Sequence, residues 1–519
     1  MKRLALALAL TSAPAGATGF ADHARDLGAK PAEDVRLDGY FRTRGEALYN
    51  LDLDRGPTPS GQLFYPVPLG SRSAQTLTRA DMRLRTDLAI YAPGGMMAVK
   101  ARLDALDNVA LGSAPEGIPA ASGTQRSEGE TITVKRVWGE ALTPFGALAI
   151  GRMGSHWGLG MLTHAGDCLD CDSGDAADRI AFVTPLVGHY WAVAYDFSAT
   201  GPFVPDRAGR RSIDFAPSAA VHTLTFAVLA SRTEAARARR AAAGKHTLEY
   251  GAYASHRWQN DDVPATYLPV AQPVAIDSRQ VMARGYRATA ADLWARLGGR
   301  GYRVEAEVAY LTARVEQPSL VPGVLFRDPA TSKQLGAAFE SEAGDAADSY
   351  RLGFDAGYAS GDSAPGFGAF PGVNRAAPVP GDLDGPQARP PGDTTVNNFR
   401  FHPDYRVDRI LFREIIGTVT DAVYLRPHLA GDLFRFASGR LRASAAAVAS
   451  WAVNAESAPG GKHPLGVEID PTLRYESHDG FVLALEQATL IPFSGLDNPG
   501  LGMKAKPAQL WRLAVAFTF

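Results

Sequence analysis

The chain has 519 residues, a formal net charge of −2 and a mean hydropathy of −0.11. That balance excludes a nucleic-acid or anionic-surface binder, and nothing after the first residues reaches the run of about 18 apolar residues that a membrane helix needs. Fifty-three glycines and thirty-five prolines suit many turns and long irregular loops. Such a length reads as two or three soluble domains unless alternating strands conceal the apolar surface, as they do in a barrel.

The chain opens on an export signal. Lys2 and Arg3 form a charged start, Leu4 to Leu10 a short apolar core, and Ala15-Gly16-Ala17 a small-residue cleavage site, with Gly19-Phe20-Ala21 as a second one. Residues 1–21 are therefore expected to hold the signal, with cleavage near 17 or near 21, 22–34 to form a short periplasmic segment, and 35–519 to form the folded body. The first strand starts so soon that no folded N-terminal plug domain is expected.

From residue 35 the pattern has period two. Val35, Leu37 and Phe41 alternate with Arg36, Asp38, Arg42, Arg44 and Glu46. Met82, Leu84, Leu88 and Ile90 alternate with Asp81, Arg83, Arg85 and Asp87; after the Pro93-Gly94-Gly95 turn, Met97, Val99 and Leu103 alternate with Lys100, Arg102 and Asp104. Similar strands recur at 302–310 and 467–475. Segments 132–142, 147–155 and 421–434 alternate poorly. Short turns alternate with long Pro-, Gly- and Asp-rich stretches such as 54–76, 109–130, 199–220, 259–283, 314–333 and 361–400. The expectation is all-β: one transmembrane antiparallel barrel of about eighteen strands, with short periplasmic turns and long extracellular loops.

The inward face of such a barrel is too wide for side chains alone to fill. Arg36, Arg42, Arg44, Arg83, Arg85, Lys100 and Arg102 would make a basic wall. Arg512 would join it, because the last strand of a closed barrel lies beside the first. Later strands bring acids, among them Glu305, Glu307, Glu340, Asp355, Glu468, Asp470 and Glu486. Opposed walls would select solutes by charge; alternatively the charges pair across strands and fill a narrow lumen. The segment from Gly151 to Gly160 either folds into the lumen, with Arg152 and His156 facing solutes, or forms a glycine-rich rim with Trp157 at the membrane interface.

Cys168 and Cys171 are the two cysteines of the chain. In an oxidising compartment they most simply form a disulfide. A metal site would need more ligands, and only His164 is close in sequence, so no metal and no cofactor are expected. The histidines are scattered, and no Gly-x-Ser-x-Gly elbow supplies an activated nucleophile, so no enzymatic role is expected. The chain ends on an alternating strand, Gln509 to Phe519, whose terminal aromatic is the usual mark of an outer-membrane barrel and would be read by the barrel assembly machinery.

Several short motifs resemble the alginate-export porin family: Leu37-Asp38-Gly39-Tyr40-Phe41-Arg42-Thr43-Arg44, Gly151-Arg152, the run from Gly353 to Asp362, and Gly466-Val467-Glu468-Ile469-Asp470 before Leu473-Arg474-Tyr475. The stretch from Asn398 to Gly417 is more similar to an uncharacterised branch of bacterial outer-membrane barrels. The resemblance implies an eighteen-stranded monomer in the Gram-negative outer membrane, bedded in lipid and lipopolysaccharide, with Arg42, Arg44 and Arg152 lining an electropositive constriction. The cysteine pair and the many inward acids depart from that pattern. The sequence-level reading is a passive channel for small anionic or saccharide-type solutes, with polysaccharide export as a variant. A closed barrel acting as a surface receptor or partner anchor is the alternative.

Overall fold

The computed structural model describes residues 19–28, 33–69, 75–111, 114–115, 125–126, 132–198, 203–263, 281–319, 324–345, 348–370 and 378–519. The export signal through residue 18 lies outside the described residues.

Eighteen strands form one sheet. They are β1 (Val35–Tyr49), β2 (Thr76–Tyr91), β3 (Met97–Ala110), β4 (Thr133–Thr143), β5 (Gly146–Gly154), β6 (Ala176–Leu186), β7 (His189–Ser198), β8 (Val221–Ala230) and β9 (Thr247–Asp262). The second half comprises β10 (Met282–Gly299), β11 (Tyr302–Val315), β12 (Ala330–Gly344), β13 (Tyr350–Ala359), β14 (Ala422–Phe436), β15 (Gly439–Ala452), β16 (Pro464–Ser477), β17 (Phe481–Pro492) and β18 (Ala508–Thr518). Each strand pairs antiparallel with its sequence neighbours, and β18 pairs with β1 from Tyr40↔Thr518 to Tyr49↔Gln509, so the sheet closes. Closure leaves no unpaired edge, the condition for strands to cross a bilayer. The poorly alternating segments are strands too. β14 is irregular because it carries Pro427 and a register shift between Asp432 and Phe434.

Alternation sorts the faces. Leu37 (56%), Val99 (53%), Leu293 (64%) and Leu513 (51%) stand exposed on the outside, whereas Arg42 (2%), Arg83 (1%), Glu307 (0%) and Arg512 (2%) are buried within. A soluble sandwich would do the reverse. A closed antiparallel barrel with an apolar outer surface is an outer-membrane protein.

Most periplasmic turns are short, but β8 and β9 are joined by 231–246, where a helix runs from Glu234 to Ala242, capped by Thr233 Oγ1 accepting from Ala236 N at 3.2 Å. The lumen is not open. In its extracellular half, the loop between β13 and β14 folds inward and places Phe367, Phe399, Phe401 and a π-helical turn, Leu411–Ile416, against inward Leu48, Tyr424, Val448, Leu490 and Leu510. Loops and the segment Gly19–Gly28 fill much of the lumen.

Candidate solute path in the barrel lumen

The loop between β5 and β6 turns into the barrel at a glycine-rich bend. Gly158 and Gly160 have φ of +55° and +85°, and a Cβ on Gly158 would lie 2.5 Å from Glu307 Oε2. Trp157 is fully buried and donates from Nε1 to Asp292 Oδ1 at 2.8 Å. Glu307 accepts from the N–H of Leu159 and, at 3.3 Å, from that of Leu162. These acids of β10 and β11 therefore hold the loop. Glu468 does the same for the β13–β14 loop, accepting from Arg409 N and Ile410 N at 2.8 Å and from Leu411 N at 3.0 Å. Carboxylates gathering backbone donors from in-folded loops do not form a free acidic wall.

Beyond the bend, the loop lies on the basic wall. Arg85 Nη1 donates to Gly166 O at 2.7 Å and Arg83 Nη1 to Cys171 O at 2.7 Å, while Arg42 bonds Leu169 O and, at 3.3 Å, Cys171 O. Asp172 receives Arg42 at 2.7 Å, Arg44 at 2.8 Å and Arg406 at 2.7 Å. Asp170 receives Arg413 at 2.5 Å, Arg44 at 3.0 Å, Arg406 at 3.2 Å and Arg512 at 3.3 Å. Asp167 takes Arg136 at 3.1 Å together with Arg102. Burial pushes these three carboxyls up, and the guanidiniums around them overrule it, holding each well below the ordinary carboxylate range. Cys168 and Cys171 form a disulfide with Cα atoms 5.1 Å apart, bracketing Leu169 and Asp170.

The wall also carries its own partners: Asp104 for Arg85, Asp107 for Arg83, Asp81 for Arg44, Asp87 for Arg102 and Glu46 for Arg512. Lys100 contacts Asp26 at 2.9 Å and Glu140 at 3.0 Å, and Arg36 lies at the periplasmic start of β1, 2.5 Å from Asp38. The residues expected inside are thus brought together, but as matched ion pairs rather than as a free positive surface. Arg152 is a correction. On β5 the inward positions are Ala147, Ala149 and Met153, and Arg152 stands with Ile150 on the outer face, paired with Asp178 at 2.7 Å. Phe20 and Trp157 pack against the inward Ala149 and Met153, and strand alternation puts Arg152 on the other face. His156 is buried, and burial lowers its pKa.

Two cavities flank the loop. The upper one, about 420 Å3, is lined by Arg44, Arg79, Asp172, Arg406, Arg413 and Glu414. The lower one, about 280 Å3, is lined by Lys100, Arg102, Arg136, Glu140, His156 and Asp167 among others. Sequence reasoning missed Arg79, which pairs with Glu46 and Glu414, and it missed the pairing of Arg136, Arg406 and Arg413 with the loop aspartates. The available signal was the acid spacing around the cysteines and the three arginines at 406, 409 and 413, interspersed with Asp404, Asp408 and Glu414.

His164, His402 and Asp404 offer ligand atoms within 4.8 Å of one another. The donor chemistry does not fit a metal. Gly166 N donates to His164 Nδ1 at 2.9 Å and Asp404 N to His402 Nδ1 at 3.0 Å, so each neutral ring carries its proton on Nε2. A ligating imidazole has the opposite arrangement, donating from the ring nitrogen that does not bind the metal. Asp404 is also occupied by Asp172 N, Ser173 N and Arg406. Burial and the neighbouring His156 push His164 down to about 4, so that ring stays neutral at physiological pH.

No family model matches the chain, and no curated protein matches it. Among solved structures it is similar to the outer membrane protein OpdK from Pseudomonas aeruginosa (12% identity, TM-score 0.45), covering 94% of this chain and 98% of that one. It is also similar to OpdL from Pseudomonas aeruginosa (10% identity, TM-score 0.48), covering 94% of this chain and 99% of that one. For a BenF-like porin from Pseudomonas fluorescens Pf-5 the identity is 8% and the TM-score 0.44, with 94% of this chain and 99% of that one covered.

Proposed function

We propose that the barrel is a passive outer-membrane channel for small anionic or saccharide-type solutes, moving them down their gradient through the two cavities. The observation that carries this reading is the convergence of Arg44, Arg406, Arg413 and Arg512 on Asp170, with a cavity on either side of that knot. Guanidiniums fixed in a lumen select by charge and bidentate fit. The net field is set by how far the loop acids cancel them. A small anion can exchange for one loop carboxylate at a time; a polysaccharide strand would require the whole loop to leave, so small solutes fit the geometry better than a polymer. Selection is assigned to Arg36, Arg42, Arg44, Arg83, Arg85, Lys100, Arg102, His156 and Arg512, with Arg406 and Arg413 added and Arg152 removed.

The test is reversal potential in planar bilayers under a salt gradient. The double variant Arg42→Ala/Arg44→Ala is expected to lose anion preference. Asp170→Asn/Asp172→Asn, which uncovers the same arginines, is expected to gain it. If both variants keep the wild-type reversal potential, the ladder has no part in selection. A second reading, a closed barrel serving as receptor or anchor, is favoured by the apolar filling at Leu411–Ile416; absence of current from folded protein supports it. Phe519 and Gly39 exchange both backbone hydrogen bonds, at 3.0 and 3.1 Å, which presents the terminal aromatic at the seam, where the assembly machinery would recognise it. A monomer is the assigned state, checked by light scattering in detergent.

A further inference from the structure

The segment Gly19–Gly28 runs through the periplasmic mouth and forms one side of the lower cavity. At its inner end Gly19 N donates to His156 O at 3.0 Å, on the in-folded loop. Phe20 is 4% exposed, packed in one cluster with Met153 and Trp157, and the Arg179 guanidinium sits 5.4 Å from its ring centre. His23 Nδ1 lies 3.1 Å from Glu140 Oε1, and Ala24 N donates to Glu140 Oε2 at 2.8 Å. Lys100 bridges Glu140 and Asp26, and Tyr91 donates its hydroxyl to Asp26 at 2.6 Å. At the outer end Gly28 N meets Gly95 O at 2.9 Å, in the β2–β3 turn, while Arg25 reaches Ser231 Oγ at 3.4 Å, in the β8–β9 connection. The segment thus crosses the mouth from one turn to another.

It takes no part in the strand ladder, so the barrel closes without it. Among its described side chains, the buried hydrophobic ones are Phe20, Ala24 and Leu27. The remaining holds are hydrogen bonds and ion pairs, several of them centred on the buried Glu140 carboxylate, which keeps Lys100 as a partner when the segment leaves. Such a segment is seated by many weak contacts and is released as a unit.

We propose that Gly19–Gly28 is a reversible plug of the periplasmic mouth, seated by Phe20 and by the contacts of His23 and Asp26 with Glu140, Lys100 and Tyr91. The proposal rests on the channel reading. Release frees Lys100 and Glu140, which already line the lower cavity, from Asp26 and His23 and opens the path to the periplasm.

The test uses full-length protein and the triple variant Phe20→Ala/His23→Ala/Asp26→Asn, both checked for heat-modifiable gel migration as proof of a folded barrel. The variant is expected to raise mean current at least about twofold. A synthetic peptide of residues 19–28, added on the periplasmic side, is expected to bind the variant by fluorescence anisotropy and to restore the block; a peptide with Phe20→Ala is expected to do neither. Equal currents from variant and wild type, with no peptide binding, overturn the plug. Binding of the peptide to a folded variant that passes no current instead overturns the channel reading, and the plug with it. N-terminal mass spectrometry supplies an independent check, because a mature chain starting at Asp22 lacks Phe20 and removes the proposal.

Discussion

Asp170 accepts from guanidiniums carried by β1, β18 and the β13–β14 loop. Its side chain keeps 43% exposure, so screening limits its contribution to stability to about 1 kcal/mol. Its folded-state pKa is held below the unfolded value, so its contribution is present above the unfolded pKa near 4 and is lost only as pH falls further, through the lowered value. Conductance of the wild type is therefore expected to be unchanged between pH 8 and pH 5, and to change in more acidic buffer. Asp421 behaves in the opposite sense. It sits in the loop just before β14, fully buried, accepting from Ser457 Oγ, Asn454 N (3.1 Å) and Asn454 Nδ2 (2.9 Å), and burial raises it to about 7. Between about pH 4 and 7 the folded barrel holds a proton that the unfolded chain has released, so stability falls as pH rises through that window. Asp421→Asn keeps the acceptor for Asn454 and tolerates the left-handed backbone there (φ 47°). It is expected to abolish that slope and to raise stability at pH 8 by on the order of 2–4 kcal/mol, read from the gel-shift melting temperature at pH 5 and pH 8.

The strands were legible because each side chain announces its face, and a period of two survives even where single residues deviate. The loops were not legible, because what fixes them is far away in sequence: Trp157 finds Asp292 and Arg413 finds Asp170. Nothing local to Gly151–Gly160 distinguishes a bend into the lumen from a rim, and the deciding residues lie on β10 and β11. Arg152 illustrates the opposite error. A charge on a barrel strand suggests an inward side chain, yet near the extracellular end of β5 an outward ion pair with Asp178 keeps both groups at the membrane surface. The cysteine clip belongs to the same scale. Cys168→Ser/Cys171→Ser frees Leu169 and Asp170 from a four-residue ring while leaving Trp157 and Glu307 to hold the first half of the loop. The barrel is expected to fold with an unchanged gel shift, and single-channel recordings are expected to show added current noise that reductant alone reproduces in the wild type.

At the level of the whole molecule, eighteen strands, closure and an apolar exterior followed from alternation and turn chemistry, whereas the filled lumen did not, since composition does not say on which side of a wall a loop will lie. The exterior makes its own prediction. Leu293 is 64% exposed near the middle of β10, and Leu293→Arg is expected to destabilise the folded barrel by about 2–4 kcal/mol in lipid, measured by reversible denaturant titration in vesicles. The knot at Asp170 has a temporal consequence. Its partners include Arg44 on β1 and Arg512 on β18, the latter 342 residues away along the chain. Contacts of such separation form late. A nascent barrel that has not received β18 lacks one arm of the knot and the seam beside it, so the loop gains its full set of partners only when the wall closes. Interior order and ring closure are then one event, and a partner that delayed insertion of the final strand would hold the molecule in a wider, more permeable form.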